Sequence, residues 1–252
     1  MNVGFRVYTQ LRRPAREIIA AFGDVSVPNL SDAMHGLYTM DSTIRPLLAS
    51  PPRFVGPAIT VSMSPGDGMM LREAIGLSKP GDVIVVNAFG ARDRAVLGGT
   101  LMAVAQELGV AGMVIDGAVR DLAEMEQLAF PVMARALTPR SGTTQSGWGE
   151  VNLPIACGGV AVHPGDVVVA DCEGVVIVPS DEADSVATAA AAVEAEKGHP
   201  DADAAAKESR FETIRARART AMLARDATVV EGVYGRSSST GRGRGSEEGG
   251  NR

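Results

Sequence analysis

At 252 residues with a formal net charge of −6, the chain fits one large domain, or one domain with appendages, and its acidic balance argues against nucleic acid as the main partner. Apolar residues make up 45% but aromatics only 4%, so the core has to be built from Val, Ala, Leu, Ile and Met. Two cysteines, Cys157 and Cys172, have no metal-type spacing and argue for a reducing cytoplasm rather than a disulfide framework; no apolar stretch has the length of a membrane span, and no charged-then-apolar start suggests a signal peptide.

In chain order, residues 14–22 carry a helical pattern, and Val27-Pro28-Asn29 reads as its break. Asn29 or Ser31 can then cap a short second helix through Tyr38. Residues 39–53 contain three prolines and read as loop, and residues 56–63 (GPAITVSM) as strand. Pro65 to Gly68 is a turn feeding a helix over 69–77, and Pro80-Gly81-Asp82 introduces a strand over 83–86.

The segment LGGTLMAVAQELGVAGMVIDGAVRD, residues 97–121, is the most informative. Leu97, Leu101, Val104, Ala105 and Leu108 recur at helical steps, with Gly109 as the C-terminal cap. Gly98, Gly99 and Thr100 open that helix with unpartnered amides, a ready place for an anion. Gly112 to Ile115 reads as a buried strand and Asp116-Gly117 as a turn. Arg120 and Asp121 follow, where open α/β sheets place their chemistry. By pattern alone the pair either serves a site or caps the next helix as an ordinary surface ion pair.

Beyond it come a short helix at 122–128, a strand near 130–134 and a polar loop over 139–149. Four short runs, 151–156, 159–162, 167–170 and 175–178, read as an all-β layer. Pro-Gly-Asp-Val occurs twice, at 80–83 and 164–167, and each copy reads as a tight turn before a strand. An alanine-rich helix over 181–197 and a second over 204–226, with Asp203 as its N-cap, form a C-terminal extension covering 181–230. The tail from Gly235 is glycine, serine and charge and predicts disorder; its Arg-Gly pairs hint at RNA contact, but a solubilising tail is the simpler reading.

His35, His163 and His199 are scattered without ligand spacing. No Gly-Xaa-Ser-Xaa-Gly elbow, Walker loop or dinucleotide fingerprint occurs, and no lysine sits in an apolar strand as a Schiff-base residue would. Chemistry therefore falls to carboxylates, an arginine, backbone amides and a divalent metal.

The phrases GPAITVSMSPGD, KPGDVIVVNAFG, LGGTLMAVAQELGVAGMVIDGAVRD, FPVMARALTP and VNLPIACGGVAVHPGDVVVADCEGVVIVP resemble, in content and order, the RraA-like family. That family includes class II pyruvate aldolases acting on 4-hydroxy-4-methyl-2-oxoglutarate and 4-carboxy-4-hydroxy-2-oxoadipate, and the ribonuclease E regulator RraA. The resemblance implies an α/β fold, a layered swivelling-type β/β/α domain over 14–180. It also implies a homotrimer or a hexamer with active sites between subunits. It assigns Asp121 as the direct ligand of Mg²⁺ or Mn²⁺ and Arg120 as the group that contacts the pyruvyl oxygen. The amides of Thr100 and Leu101 would hold the substrate carboxylate, and Glu196, or else Glu194, would support the metal from a neighbouring subunit.

The acid that the aldolases carry at the start of this helix falls on Gly99 here, and Gly68 stands where Asn is frequent. The expectation is a metal-dependent carbon–carbon lyase on a small keto acid, attenuated or re-specialised. It would release pyruvate from 4-hydroxy-2-oxo acids or decarboxylate oxaloacetate. The rival is a non-catalytic regulator that binds and inhibits a ribonuclease.

Overall fold

The computed structural model describes residues 3–144, 147–197 and 204–228. In chain order its elements are β1 (Phe5–Val7), α1 (Arg16–Ala20), α2 (Val27–Ala33), β2 (Arg45–Pro46), β3 (Phe54–Met63), α3 (Met69–Leu77), β4 (Val83–Leu97), α4 (Gly99–Glu107) and β5 (Gly112–Val119). There follow α5 (Leu122–Leu128), β6 (Val132–Leu137), β7 (Gly149–Val151), β8 (Ile155–Cys157), β9 (Val160–Val162), β10 (Val167–Asp171), β11 (Gly174–Val178), α6 (Ala183–Lys197) and α7 (Ala204–Leu223). The chain divides into two units, Met1–Gly198 and His199–Arg252; α7 is the described element of the second. Asp203 and the tail from Gly235 lie outside the described residues.

In the first unit, β3, β4, β5 and β6 run parallel in that order, with α3, α4 and α5 as the crossovers. Antiparallel β7 and β2 extend the two sides, and β1 pairs with β7. The long strand β3 serves two pairings. Its first residues, 54–57, pair with β10 of the β10–β11 hairpin, and 58–62 pair with β4. Strands β8 and β9 form a separate hairpin.

The layers follow from the two-residue period of a strand. Ile84 and Val86 face a core shared with Leu71, Met102 and Met125 of α3, α4 and α5. Their neighbours Val83 and Val85 face a second core shared with Cys157, Val162 and Val168. Val167 and Val169 then face a third, with Leu30 of α2 and Ala190 of α6. Strands covered on both faces read as continuous apolar runs, which is why 83–86 and 175–178 are so uniformly aliphatic. The β/β/α layering is as expected, and α2 and α6 cover the far side of the hairpin.

Several local expectations are corrected. Pro28 does not break a helix: it stands in the first turn of α2, capped by the Ser26 side chain on the Asn29 amide. Proline suits that place because its missing N–H has no partner there anyway. Asn29 and Ser31 lie inside α2, which ends at Ala33 rather than Tyr38. Strand β4 does not stop at Val86 but continues to Leu97 through three shifts of register against β5, the first turning at Phe89 and Gly90 with positive φ. Asp116-Gly117 is not a turn but the interior of β5. A Cβ at Gly117 would come within 2.8 Å of the Ala88 Cβ, so this glycine serves close strand approach. The run 151–156 is broken at Asn152, whose φ is 58°.

Asp116 is buried and ties the layers together. It accepts the Gly158 amide at 2.8 Å and the Arg135 guanidinium, which also reaches Thr43 and Asp41. The hydrogen bond to Asp116 holds the Arg135 pKa above its ordinary value. Asp41 is held low, chiefly by the Thr43 amide. Burial pushes the neighbouring Cys157 thiol well up, which makes it an inert core residue.

Candidate functional site

The carboxyl ends of the parallel strands meet in a cleft of about 580 Å³, the place where open α/β sheets bind ligands. Gly68 follows β3; Ala95, Val96 and Leu97 end β4; Arg120 and Asp121 follow β5; Ser141 to Thr144 lie beyond β6. The start of α4, with Gly98, Thr100 and Leu101, forms one wall. The residues singled out at 98, 100, 101, 120 and 121 are therefore neighbours.

Asp121 does not cap the helix that follows it. It occupies the N-cap position of α5 yet makes no side-chain cap hydrogen bond to that helix. Its backbone is left-handed, φ 65° and ψ 50°, a conformation that costs most side chains about 1–2 kcal/mol but that Asp tolerates. The turn swings the carboxylate across to α4, where Oδ2 accepts the Gly99 amide at 3.0 Å. Arg120 Nε stands 3.3 Å from the same oxygen. Both side chains remain part-exposed at the cleft. A Cβ at Gly98 would lie 2.5 Å from that carboxylate oxygen, so the glycine makes room for Asp121.

The three amides at the helix start differ. Gly99 donates to Asp121, and Leu101 donates to Gly98 O at 3.0 Å. Among the described residues no acceptor faces the Thr100 amide, which lines the cleft. The helix dipole adds positive potential at this end.

Two charged side chains escaped the sequence reading. A Cβ at Gly99 would fall 1.4 Å from Glu124 Oε2: the space of the absent side chain holds a carboxylate from the first turn of α5. A Cβ at Gly68 would fall 2.5 Å from Arg72 Nη1, which donates to Gly68 O at 2.8 Å. Their signal was spacing. Glu124 lies one helical turn from Asp121, and Arg72 one turn from Gly68. The loop 141–144 was read as loop but not as a wall of the cleft.

Glu196 and Glu194 fall in the last turns of α6, and their side chains lie outside the described residues. Among the described residues no three His, Cys, Asp or Glu side chains gather as a metal cage. A magnesium-type ion needs no such cage: it keeps several waters, takes one or two carboxylates and completes its shell with substrate oxygens. Asp121, opening on a polar cleft, fits that donor set. No described helix is long and apolar enough to cross a membrane.

Known proteins resemble this chain in sequence and in fold. A 39% identical relative from Halalkalibacterium halodurans, aligned over 68% of this chain and 80% of its own length, is provisionally named a 4-hydroxy-4-methyl-2-oxoglutarate aldolase. A protein of that name from Thermus thermophilus is 35% identical over 50% of this chain and 76% of its own. The crystal structure of RraAS2 from Streptomyces coelicolor, described as an unusual member of the RNase ES inhibitor RraA protein family, superposes with a TM-score of 0.67 at 30% identity. It covers 75% of this chain and 97% of its own. The family model described as RraA-like, Aldolase/RraA, matches residues 27–177, and with the cleft at its strand ends the chain belongs to the RraA-like family.

Proposed function

We propose that the chain is a divalent-metal-dependent carbon–carbon lyase that releases pyruvate from 4-hydroxy-2-oxo acids, decarboxylates oxaloacetate, or does both. The observation that carries this reading is Asp121, held in a left-handed turn that directs its carboxylate away from its own helix and into the cleft beside Arg120. The names of the two aldolase relatives support the reaction class.

The start of α4 takes the substrate carboxylate, with the Thr100 amide as donor. Asp121 would hold Mg²⁺ or Mn²⁺, which supplies Lewis-acid polarisation of the 2-oxo group. In retro-aldol cleavage the C3–C4 bond breaks, its electron pair moves to C3 and the C2 oxygen, and the C4 hydroxyl loses its proton to become a carbonyl. Arg120 meets the negative charge that grows on the C2 oxygen. Protonation at C3 then gives pyruvate. In oxaloacetate the bond to the departing carboxylate breaks instead, and the same enolate charge falls before Arg120. Glu124 places near the Gly99 backbone the carboxylate that position 99 lacks.

The direct test is pyruvate release from oxaloacetate and from 4-hydroxy-4-methyl-2-oxoglutarate, with Mg²⁺, with Mn²⁺ and after chelation. Release that depends on the metal is expected. No release from either acid under any of these conditions would overturn the reading and favour the regulator that the S. coelicolor relative suggests, one that binds a ribonuclease.

The reading includes assembly as a trimer or hexamer. Phe89, Leu37 and Trp148 are 66%, 75% and 64% exposed in the single chain, apolar surface that an assembly would cover. Light scattering at micromolar concentration should give three or six chains; a monomer would contradict it.

A further inference from the structure

We propose that Arg72 is a specificity residue that receives the second carboxylate of the substrate, so that the cleft selects 2-oxo dicarboxylates over 2-oxo monocarboxylates. This rests on the lyase reading and adds to it the residue that recognises the second carboxylate of acids such as oxaloacetate.

The cleft is lined by two guanidinium groups, those of Arg72 and Arg120, against one carboxylate, that of Asp121. Arg120 stands against Asp121 and belongs to the oxo end of the substrate. Among the described residues Arg72 has no carboxylate within ion-pair distance, and its hydrogen bond to the Gly68 carbonyl uses one donor. A guanidinium carries five N–H donors in a planar fork, so most of that fork is left for a ligand. The fork matches a carboxylate with two parallel hydrogen bonds.

The local sequence holds Arg72 at the cleft. It lies in the second turn of α3 and folds back over the start of its own helix. A Cβ at Gly68 would stand 2.5 Å from Nη1, so the glycine vacates the space that the guanidinium uses. The amino end of α3 adds positive potential there. A monocarboxylate held at α4 and Arg120 leaves Arg72 unmatched. An acid with a carboxylate at each end matches both walls.

The test compares oxaloacetate with pyruvate on wild type, Arg72→Gln and Arg72→Lys in Mg²⁺. Arg72→Gln should raise the KM for oxaloacetate by about ten- to hundredfold, the scale of a charge-assisted hydrogen bond, with a smaller change in kcat. Inhibition by pyruvate, which has no second carboxylate, should be unchanged, and Arg72→Lys should recover part of the loss. Equal weakening of both acids, or an unchanged oxaloacetate KM, would overturn the proposal, and so would a wild type that binds neither acid in calorimetry. A wild type that binds both but releases no pyruvate would sink the lyase reading alone. The calorimetric affinity ratio of the two acids would then decide the role of Arg72.

Discussion

Asp121→Asn should abolish metal-dependent pyruvate release while leaving the fold intact. Asn keeps the size of the side chain, an oxygen to accept the Gly99 amide and tolerance of the left-handed turn. What it loses is the negative charge that draws a divalent cation. The expected fall in activity exceeds the ~10–100-fold typical of an outer partner of a metal site, and calorimetric titration with Mn²⁺ should show a matching loss of affinity. Asp121→Ala should lose the same activity and some stability as well, because alanine pays the left-handed cost of about 1–2 kcal/mol. Wild-type rates for Asp121→Asn at saturating Mn²⁺ would remove this residue from the site.

Arg120→Lys should separate catalysis from metal binding. Lysine keeps the positive charge but replaces the planar fork with a compact ammonium on a flexible stem. If Arg120 meets charge that develops only during bond cleavage, its loss should lower kcat by about 10²–10³-fold, the scale for one donor of that kind, with little change in Mn²⁺ affinity. The contact between Arg120 Nε and Asp121 is part-exposed, so its own contribution to stability is small. Unchanged turnover in Arg120→Lys would make the residue structural.

Much of this site was legible because its scaffold obeys strict periodicities. The helix read over this stretch is α4, and Gly109 follows it with φ +78°, but Leu97 ends β4, Val104 and Leu108 are exposed, and the buried positions of α4 include Met102 and Ala105. The apolar run at 112–115 is the heart of β5. The position of Arg120 and Asp121 just after this strand places both side chains at a carboxyl end, where the cleft lies, although Asp116-Gly117 is strand and not the expected turn. Legibility failed where tertiary contacts override local signals. The second half of β4, Asn87 to Leu97, is interrupted by Gly90 and by Arg92-Asp93-Arg94, so it carries no continuous buried-strand pattern, yet it pairs with β5 through irregular register. Gly117 resembles a turn residue in sequence but answers a steric demand from Ala88. Arg72 and Glu124 sit on exposed helix faces, where apolar periodicity is silent.

The two site glycines also show what a pattern match leaves out. At positions 68 and 99 the sequence shows only the absence of a side chain. In the folded chain each gap is occupied, by Arg72 and by Glu124. A departure from a motif can be a relocation of charge rather than its loss, and only contact between distant residues reveals which.

The space shared by Gly99 and Glu124 couples these two positions. An acid introduced at 99 alone would meet the Glu124 carboxylate and crowd a third negative charge beside Asp121. Loss of Glu124 alone would empty the space beside the Gly99 backbone. Substitutions at 99 and 124 are therefore expected to be non-additive, Glu124→Ala relieving the crowding that Gly99→Asp creates. A carboxylate can thus be moved from α5 to α4 only by changing both positions together.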